Sequence, residues 1–149
     1  MKAVIQRVQS AQVLVDGRLT GKIGKGLLVF VGVGKGDGEG DISYMVSKIP
    51  DLRIFEDASG KFNLSLKEMN GEMLIVSQFT LYGDCRKGRR PSYSDAAPPA
   101  RAEGMFEQFL EIVRRRVPGA QSGRFQAMMQ VSLVNSGPVT LMLDSRKAF

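Results

Sequence analysis

The sequence contains no histidine and only one cysteine, Cys85. Without histidine the chain cannot form a Ser-His-Asp or Cys-His catalytic arrangement, and it lacks the commonest general base and metal-binding side chain. A single cysteine excludes an intrachain disulfide and argues against a zinc site built from cysteines. If the protein is an enzyme, its chemistry depends on other groups, and we expect neither a metal nor a cofactor.

Long apolar runs are also missing from the sequence. No stretch approaches the roughly 20 residues that a membrane-spanning helix needs, and residues 1–7 lack the apolar segment of a signal peptide. We therefore expect a cytoplasmic protein that does not insert into membranes. Its 149 residues are typical of one domain, so we predict a single domain over residues 1–149.

The formal net charge is +6, and two basic clusters contribute to it. Residues 114–116 are three arginines at the end of a predicted helix, where cations favour the negative end of the helix dipole. Residues 86–90 have no such explanation, because Gly88 and the following Pro91 predict a loop. We interpret this basic loop as a contact surface for a polyanion such as nucleic acid.

The pattern of apolar residues predicts strands that outnumber two helices. Runs or alternation of apolar residues, separated by turn residues, predict strands or extended segments at 1–15, 19–23, 27–33, 52–55, 62–66, 73–81, 125–133 and 139–143. Helical spacing predicts one helix that stops at Pro50 and another that ends at Pro118. Residues 34–41 fit neither a dinucleotide fingerprint nor an EF-hand and are interpreted as a flexible loop. The order favours an α+β or mixed α/β domain with a mostly antiparallel sheet.

One predicted strand contains polar side chains that require an explanation. The apolar residues 73–76 are followed by Ser77, Gln78 and Thr80. A buried hydroxyl or amide without a partner costs about 1–3 kcal/mol, so these groups serve either the fold, through neighbouring backbone, or a ligand. The basic loop follows closely, which favours a reaction centre that opens toward it.

A second segment of interest is Gly137-Pro138, within the predicted turn at residues 135–138. The simplest interpretation is a hairpin connection between the last two strands. A Gly-Pro bond can also be cis, at a cost of about 0.5–1 kcal/mol in a free peptide. A cis bond would direct two neighbouring carbonyls the same way, and such a rigid pair can test the shape of a small ligand.

These two segments together resemble the signature motifs of a known family. Residues 77–81, Ser-Gln-Phe-Thr-Leu, and residues 135–140, Asn-Ser-Gly-Pro-Val-Thr, are similar to the paired motifs of the bacterial and eukaryotic type of D-aminoacyl-tRNA deacylase. The likeness continues at residues 6–8, 52–57, 87–92 and 123–125. The sequence departs from the family at Ser136, where Asp is usual, and at Gln126, where Gly is usual.

The resemblance implies a barrel-like fold and a homodimer with its active site at the subunit interface. It implies hydrolysis of the ester that joins a D-amino acid, or glycine, to tRNA, a chiral proofreading reaction that recycles the tRNA. It also implies that Gly137 and Pro138, joined by a cis bond, reach into the site of the other subunit. Their carbonyls would leave no room for an L side chain.

The resemblance places the catalytic centre at residues 77–80, namely Ser77, Gln78, Phe79 and Thr80. Backbone N–H groups at Phe79 and Thr80 are candidates to stabilise the oxyanion, and Gln78 is expected to line the aminoacyl pocket. Two sources of the attacking group remain open. Thr80 is one, although no base is evident near its hydroxyl. We favour water oriented by the ribose 2′-OH of the substrate, a group that DNA lacks.

The remaining roles concern tRNA binding. Phe125, with Met128 or Met129, is expected to form the adenine pocket, although Phe125 also suits the core. The candidates for phosphate contacts are Arg7, Lys87, Arg89 and Arg90. Two other functions remain open: a non-catalytic dimer that binds tRNA through the basic loop, and an esterase that acts on another small acyl ester.

Overall fold

A computed structural model describes the backbone of residues 1–149 and the side chains of all of them except Pro138. The strands are β1 (Lys2–Val15), β2 (Arg18–Ile23), β3 (Gly26–Gly32), β4 (Phe55–Glu56), β5 (Phe62–Leu64), β6 (Glu72–Ser77), β7 (Gln121–Ser122) and β8 (Met129–Asp144). The helices are α1 (Glu39–Lys48), α2 (Pro99–Arg116) and a 3-10 helix (Phe79–Tyr82). The predicted mixed α/β class with two α-helices is confirmed. No helix in the described part of the chain is long and apolar enough to cross a membrane.

Strand β1 organises the main sheet because it pairs with three other strands. It pairs antiparallel with β3 through residues 2–8, with β2 through residues 11–15, and with β8 along nearly its whole length. Strands β2 and β3 therefore share one edge of β1, and β8 occupies the other edge. The sheet continues from β3 to β6 and from β6 to β7 by parallel pairing. Most pairs are antiparallel, as predicted.

Strand β3 is apolar throughout because both of its faces are covered. Successive side chains of a strand point to opposite faces. Leu27, Val29 and Val31 lie in the main core, which includes residues of α1 and α2, whereas Leu28 lies in a second cluster with Val13 and Val76. The prediction that residues 27–33 form a strand covered on both faces is therefore confirmed, within the bounds of β3.

The prediction of a hairpin at residues 135–138 is wrong. These residues lie within β8, whose two halves both pair antiparallel with β1. Val8 pairs with Asn135 but Gln6 pairs with Thr140, so four residues of β8, 136–139, stand opposite Arg7 alone. The segment is a bulge in a continuous strand, as expected where extra residues interrupt a ladder. We call residues 136–139 the β8 bulge.

Several other predicted boundaries also need correction. Strand β6 ends at Ser77 and is followed by the 3-10 helix, so Phe79 and Thr80 are exposed rather than inside a strand. Residues 125–128 precede β8 because Gln126 has a positive φ of 56°, which is incompatible with an extended strand. The segment 52–55 contributes only Phe55 to β4. Residues 34–41 are not a simple flexible loop, because Asp37 is fully buried and α1 begins at Glu39.

The predicted loop between the 3-10 helix and α2 is held at two points. Asp84 and Ser92 exchange two backbone hydrogen bonds, with N···O distances of 2.7 and 3.0 Å. Farther along, Gly34 and Ala96 form a second isolated bridge. The basic residues 86–90 thus form a closed loop whose base is fixed, next to the segment that follows β6.

Candidate active site

A pocket of about 830 Å³ lies where β6 ends and β8 begins. Its volume is typical of small-molecule sites. Six of the residues predicted from the sequence line it: Ser77, Gln78, Phe79, Phe125, Met128 and Met129. The fold therefore brings together two segments that are about fifty positions apart in the chain, the end of β6 and the segment that leads into β8.

The 3-10 helix folds the end of the predicted catalytic motif into a tight turn. The amide of Gln78 donates to the carbonyl of Val31 at 2.8 Å, which aligns the end of β6 on β3. The turn is closed by the amides of Leu81 and Gly83, which donate to Gln78 and Thr80. The first amides of a helix have no acceptor within it. The N–H groups of Phe79 and Thr80 occupy that position beside the pocket.

The side chains of Gln78 and Thr80 contact each other. The amide nitrogen Nε2 of Gln78 donates a hydrogen bond to Oγ1 of Thr80. An amide donor does not accept the hydroxyl proton, so this contact does not make Thr80 a better nucleophile. It instead fixes the orientation of both side chains. The arrangement supplies hydrogen-bond donors and a hydroxyl, but no side-chain base.

Tyr82 anchors the end of the 3-10 helix to a buried carboxylate. Its hydroxyl donates to Oδ2 of Asp37 at 3.0 Å. The Asp37 carboxylate also accepts from the amide of Gly34 at 2.6 Å and lies 2.8 Å from the ammonium of Met1 and 3.0 Å from Nη2 of Arg146. Two cations and two neutral donors stabilise this buried charge. A Cβ on Gly34 would lie 2.6 Å from the Tyr82 hydroxyl oxygen, so the close approach requires glycine there.

Replacing Tyr82 with Phe is expected to lower the free energy of unfolding by about 1–2 kcal/mol, because a hydrogen bond to a charged, buried group is lost. Urea denaturation measures the change. Tyr44→Phe is the matched control, since that hydroxyl lies outside the Asp37 cluster. Equal effects of the two substitutions would contradict the anchoring role.

The same anchor gives a pH dependence with a definite sign. Burial, together with the negative charge of Asp37, raises the pKa of Tyr82 well above its ordinary value of about 10. Above pH 10 the unfolded chain loses this proton while the folded chain keeps it. The free energy of unfolding therefore falls as the pH rises beyond 10, and Tyr82→Phe is expected to flatten that slope.

In the predicted adenine pocket, the aromatic residue Phe125 packs against the core. Phe125 is half-buried and packs against Phe106 of α2, with ring centroids 6.0 Å apart. Phe125 contacts the main core and also lines the pocket. Its position therefore fits both interpretations made from the sequence, a core residue and a pocket residue. Met128 is 88% exposed, and Met129 is half-buried. The positive φ of Gln126 suits the glycine that the family usually has there.

The predicted phosphate-binding cations of the basic loop are all exposed. Lys87, Arg89 and Arg90 lie in the loop that the Asp84–Ser92 bridge closes. Arg86 differs, because its guanidinium binds Asp84 at 2.8 Å and holds the pKa of that carboxyl well below its usual range. The loop therefore presents a concentrated positive charge to solvent.

Comparisons with known proteins agree with the motifs and the fold. The family model described as D-Tyr-tRNA(Tyr) deacylase matches residues 4–144. The chain belongs to this family. A D-aminoacyl-tRNA deacylase of Thermosipho africanus is 60% identical over 149 residues, and one of Syntrophobacter fumaroxidans is 58% identical, each covering 100% of both chains. A solved structure titled c-Myc DNA Unwinding Element Binding Protein is 42% identical, with a TM-score of 0.92 over 97% of this chain and 98% of that one.

Among the residues predicted for this deacylase, Arg7 is not placed to contact phosphate. Its side chain is buried, and its guanidinium donates to the carbonyls of Ile54 at 2.7 Å and Ser136 at 3.1 Å. The ring of Phe62 lies 5.0 Å from its guanidinium carbon. Arg7 therefore fastens the β8 bulge from inside. Asn135 assists, since its side-chain amide donates to the carbonyls of Arg7 and Val139.

Gly137 is exposed in the β8 bulge, and none of the described residues of the bulge lines the pocket. The predicted cis bond and the role of Pro138 lie outside the described residues. In the part of the chain that the structure describes, no three side chains of His, Cys, Asp or Glu lie together as a metal site.

Sequence reasoning missed three residues of this deacylase that bear on the site. Tyr82 anchors the 3-10 helix, while Lys35 and Tyr93 line the pocket. Lys35 lies within residues 34–41, which the sequence predicts to be a flexible loop, and Tyr93 lies in a long loop without periodicity. The aromatic ring beside a basic run was the one available signal for Tyr93.

Proposed function

We propose that this chain is a single deacylase domain over residues 1–149 that acts in the cytoplasm as a homodimer. It hydrolyses the ester between a D-amino acid and tRNA and also the ester of glycine. It does not hydrolyse the ester of an L-amino acid. Deacylation of D-aminoacyl-tRNA is the activity of its family. A non-catalytic tRNA-binding dimer and an esterase for other acyl esters are accordingly not favoured.

The 3-10 turn at the end of β6 carries the catalytic part of the proposal. The attack of water on the ester carbonyl places negative charge on its oxygen. The amides of Phe79 and Thr80 donate to that oxyanion in this proposal, a contribution of about 3 kcal/mol for each donor. Ser77 and Gln78 line the space beside them and hold the aminoacyl group.

The attacking water is activated by the substrate itself. The described side chains of the catalytic turn include no base, and Thr80 already accepts a hydrogen bond from Gln78. The ribose 2′-OH of the terminal adenosine lies next to the ester and orients the water. Water adds to the carbonyl carbon, the ester C–O bond breaks, and the ribose 3′-oxygen leaves with a proton. The products are the free amino acid and tRNA.

The geometry of one chain favours a second copy as the donor of Gly137 and Pro138. Ser77 pairs with a residue of β3, Val31, that in turn pairs with Ala3 of β1. The β8 bulge instead stands opposite Arg7 of β1. Four residues of strand span about 13 Å, and β1 and β3 lie between the two sites in the sheet. The bulge therefore serves the pocket of a neighbouring subunit rather than its own.

Among the strands that the structure describes, none pairs with the outer edge of β8, and this supports the same dimer. This strand of 16 residues pairs with β1 on one side, and Val134 and Met142 are 56% and 66% exposed. A long edge strand with exposed apolar side chains is a common interface. Its burial in a dimer would place the bulge between the subunits. The basic loop then supplies phosphate contacts for the acceptor end of tRNA through Lys87, Arg89 and Arg90.

Purified protein is to be mixed with D-tyrosyl-, L-tyrosyl- and glycyl-tRNA while the free amino acid is measured. We expect rapid release from the D-tyrosyl and glycyl esters and almost none from the L-tyrosyl ester. Binding without turnover would support a non-catalytic dimer, and cleavage without chiral preference would support a general esterase. A monomer by light scattering would contradict the shared site.

A further inference from the structure

The pocket is lined by an aromatic pair whose side chains have no role in the proposal above. The rings of Phe79 and Tyr93 meet edge to face, with centroids 5.1 Å apart and planes inclined at 69°. Both side chains line the pocket, yet they remain 55% and 39% exposed. In an edge-to-face pair, the ring that presents its edge keeps both of its own faces open. This pair therefore presents aromatic surface to a ligand.

The position of Tyr93 is fixed before any ligand binds. The preceding residue, Ser92, is paired with Asp84, and the carbonyl of Tyr93 accepts a hydrogen bond from the amide of Ala96 at 3.1 Å. A Cβ on Gly83 would lie 3.0 Å from Cε1 of Tyr93, so the ring packs directly on that backbone. A ring that is already ordered loses little entropy on binding.

Basic residues lie near Tyr93 in the sequence, and one of them lines the same pocket. Tyr93 lies three residues after the basic loop, which carries Lys87, Arg89 and Arg90. Lys35 lines the same pocket, and its amide donates to the carbonyl of Asp95 at 3.0 Å. Aromatic rings beside cations are the arrangement that binds single-stranded nucleic acid, with bases stacked on rings and phosphates near the charges.

We propose that Tyr93, supported by Phe79, stacks on the base of the nucleotide that precedes the terminal adenosine, and that Lys35 lies beside the phosphate between the two nucleotides. This inference rests on the proposed function. The aromatic residues of the pocket then hold two successive bases: Phe125 holds the terminal adenine, and Tyr93 with Phe79 holds the penultimate cytosine of the CCA end. The pocket thus recognises a single-stranded end of two nucleotides.

Three small substrates test the proposal: the D-tyrosyl esters of adenosine, of the dinucleotide CpA, and of the same dinucleotide with an abasic first residue. The measurement is kcat/KM for each. We expect the CpA ester to exceed the abasic ester about ten-fold with the natural protein, as one stacked base contributes. Tyr93→Leu, which keeps a large apolar side chain, is expected to bring this ratio near one, and Tyr93→Phe is expected to preserve it.

The outcomes separate this inference from the proposed function. A ratio near one with the natural protein would overturn the stacking role, while turnover of the adenosine ester alone would still support deacylation. A Tyr93→Leu variant that keeps the ten-fold ratio would also overturn it. If the natural protein is a dimer and the Tyr93→Leu variant is a monomer, the ring stabilises the subunit interface and the inference is wrong. Absence of turnover with all three esters and with full D-tyrosyl-tRNA would instead contradict the proposed function.

Discussion

D-tyrosyl-tRNA that ends in 2′-deoxyadenosine is expected to be hydrolysed about 10²–10⁴ times more slowly than the natural substrate. The reason is that Gln78 and the 3-10 helix, the proposed catalytic turn, offer main-chain donors, an amide and a hydroxyl but no described side-chain base. Proton transfer by a positioned group contributes a factor of this size. If the ribose 2′-OH is that group, removing it removes the factor. Single-turnover release of D-tyrosine measures the effect.

The matched protein variant is Thr80→Ala, which removes the other candidate group. Its backbone N–H remains, so the oxyanion donors are retained. We expect this variant to keep most of its kcat on the natural substrate, with a small loss because Gln78 loses its hydrogen-bond acceptor. Near-normal hydrolysis of the deoxy substrate, together with a large loss in Thr80→Ala, would make the threonine hydroxyl the nucleophile.

Replacing Arg7 with Met is expected to lower the free energy of unfolding by about 3 kcal/mol. Two backbone carbonyls, those of Ile54 and Ser136, lose a charged donor, and each loss costs about 1–3 kcal/mol. The apolar stem is kept, so the change reports mainly on these contacts. For a chain of this length the melting temperature is expected to fall by roughly 6–12 °C. Differential scanning calorimetry measures it.

Arg115→Met is the control for that substitution. Arg115 is 71% exposed and pairs with Glu111 one turn away, so its loss is expected to cost less than about 0.5 kcal/mol. Because Arg7 fastens the β8 bulge, the Met variant is also expected to lose preference for D-tyrosyl-tRNA over L-tyrosyl-tRNA. A variant that is destabilised but keeps its chiral preference would show that this fastening of the bulge does not contribute to substrate selection.

The polar segment at the end of β6, which lines the pocket, was predictable because its signal is local. An apolar run followed by Ser77, Gln78 and Thr80 is unusual for a strand, and the run of basic residues after it indicates a loop whatever the remaining structure does. The helices were predictable for a similar reason, since their apolar spacing and the stops at Pro50 and Pro118 are properties of short segments. Boundaries were less accurate where one residue with an unusual φ, Gln126, displaced the start of a strand.

The hairpin predicted at residues 135–138 shows the limit of local signals. A Gly-Pro turn and a bulge contain the same residues, and the difference lies in the partner strand. Strand β1 is long enough to pair with both halves of β8. The chain therefore does not reverse its direction at this point, and only the four residues opposite Arg7 interrupt the pairing with β1. Nothing near Gly137 in the sequence specifies the length of β1.

The amino-acid sequence by itself determined the absence of histidine chemistry, the positive charge, the polar end of β6 and the family resemblance, because each depends on residue types or short motifs. Only the tertiary structure decided that Arg7 is internal, that Asp37 joins Tyr82 to Met1 and Arg146, and that Phe125 and Tyr93 face one pocket. These groups are distant in the chain. Their contacts arise from strand pairing and helix packing, which are collective properties of the folded chain.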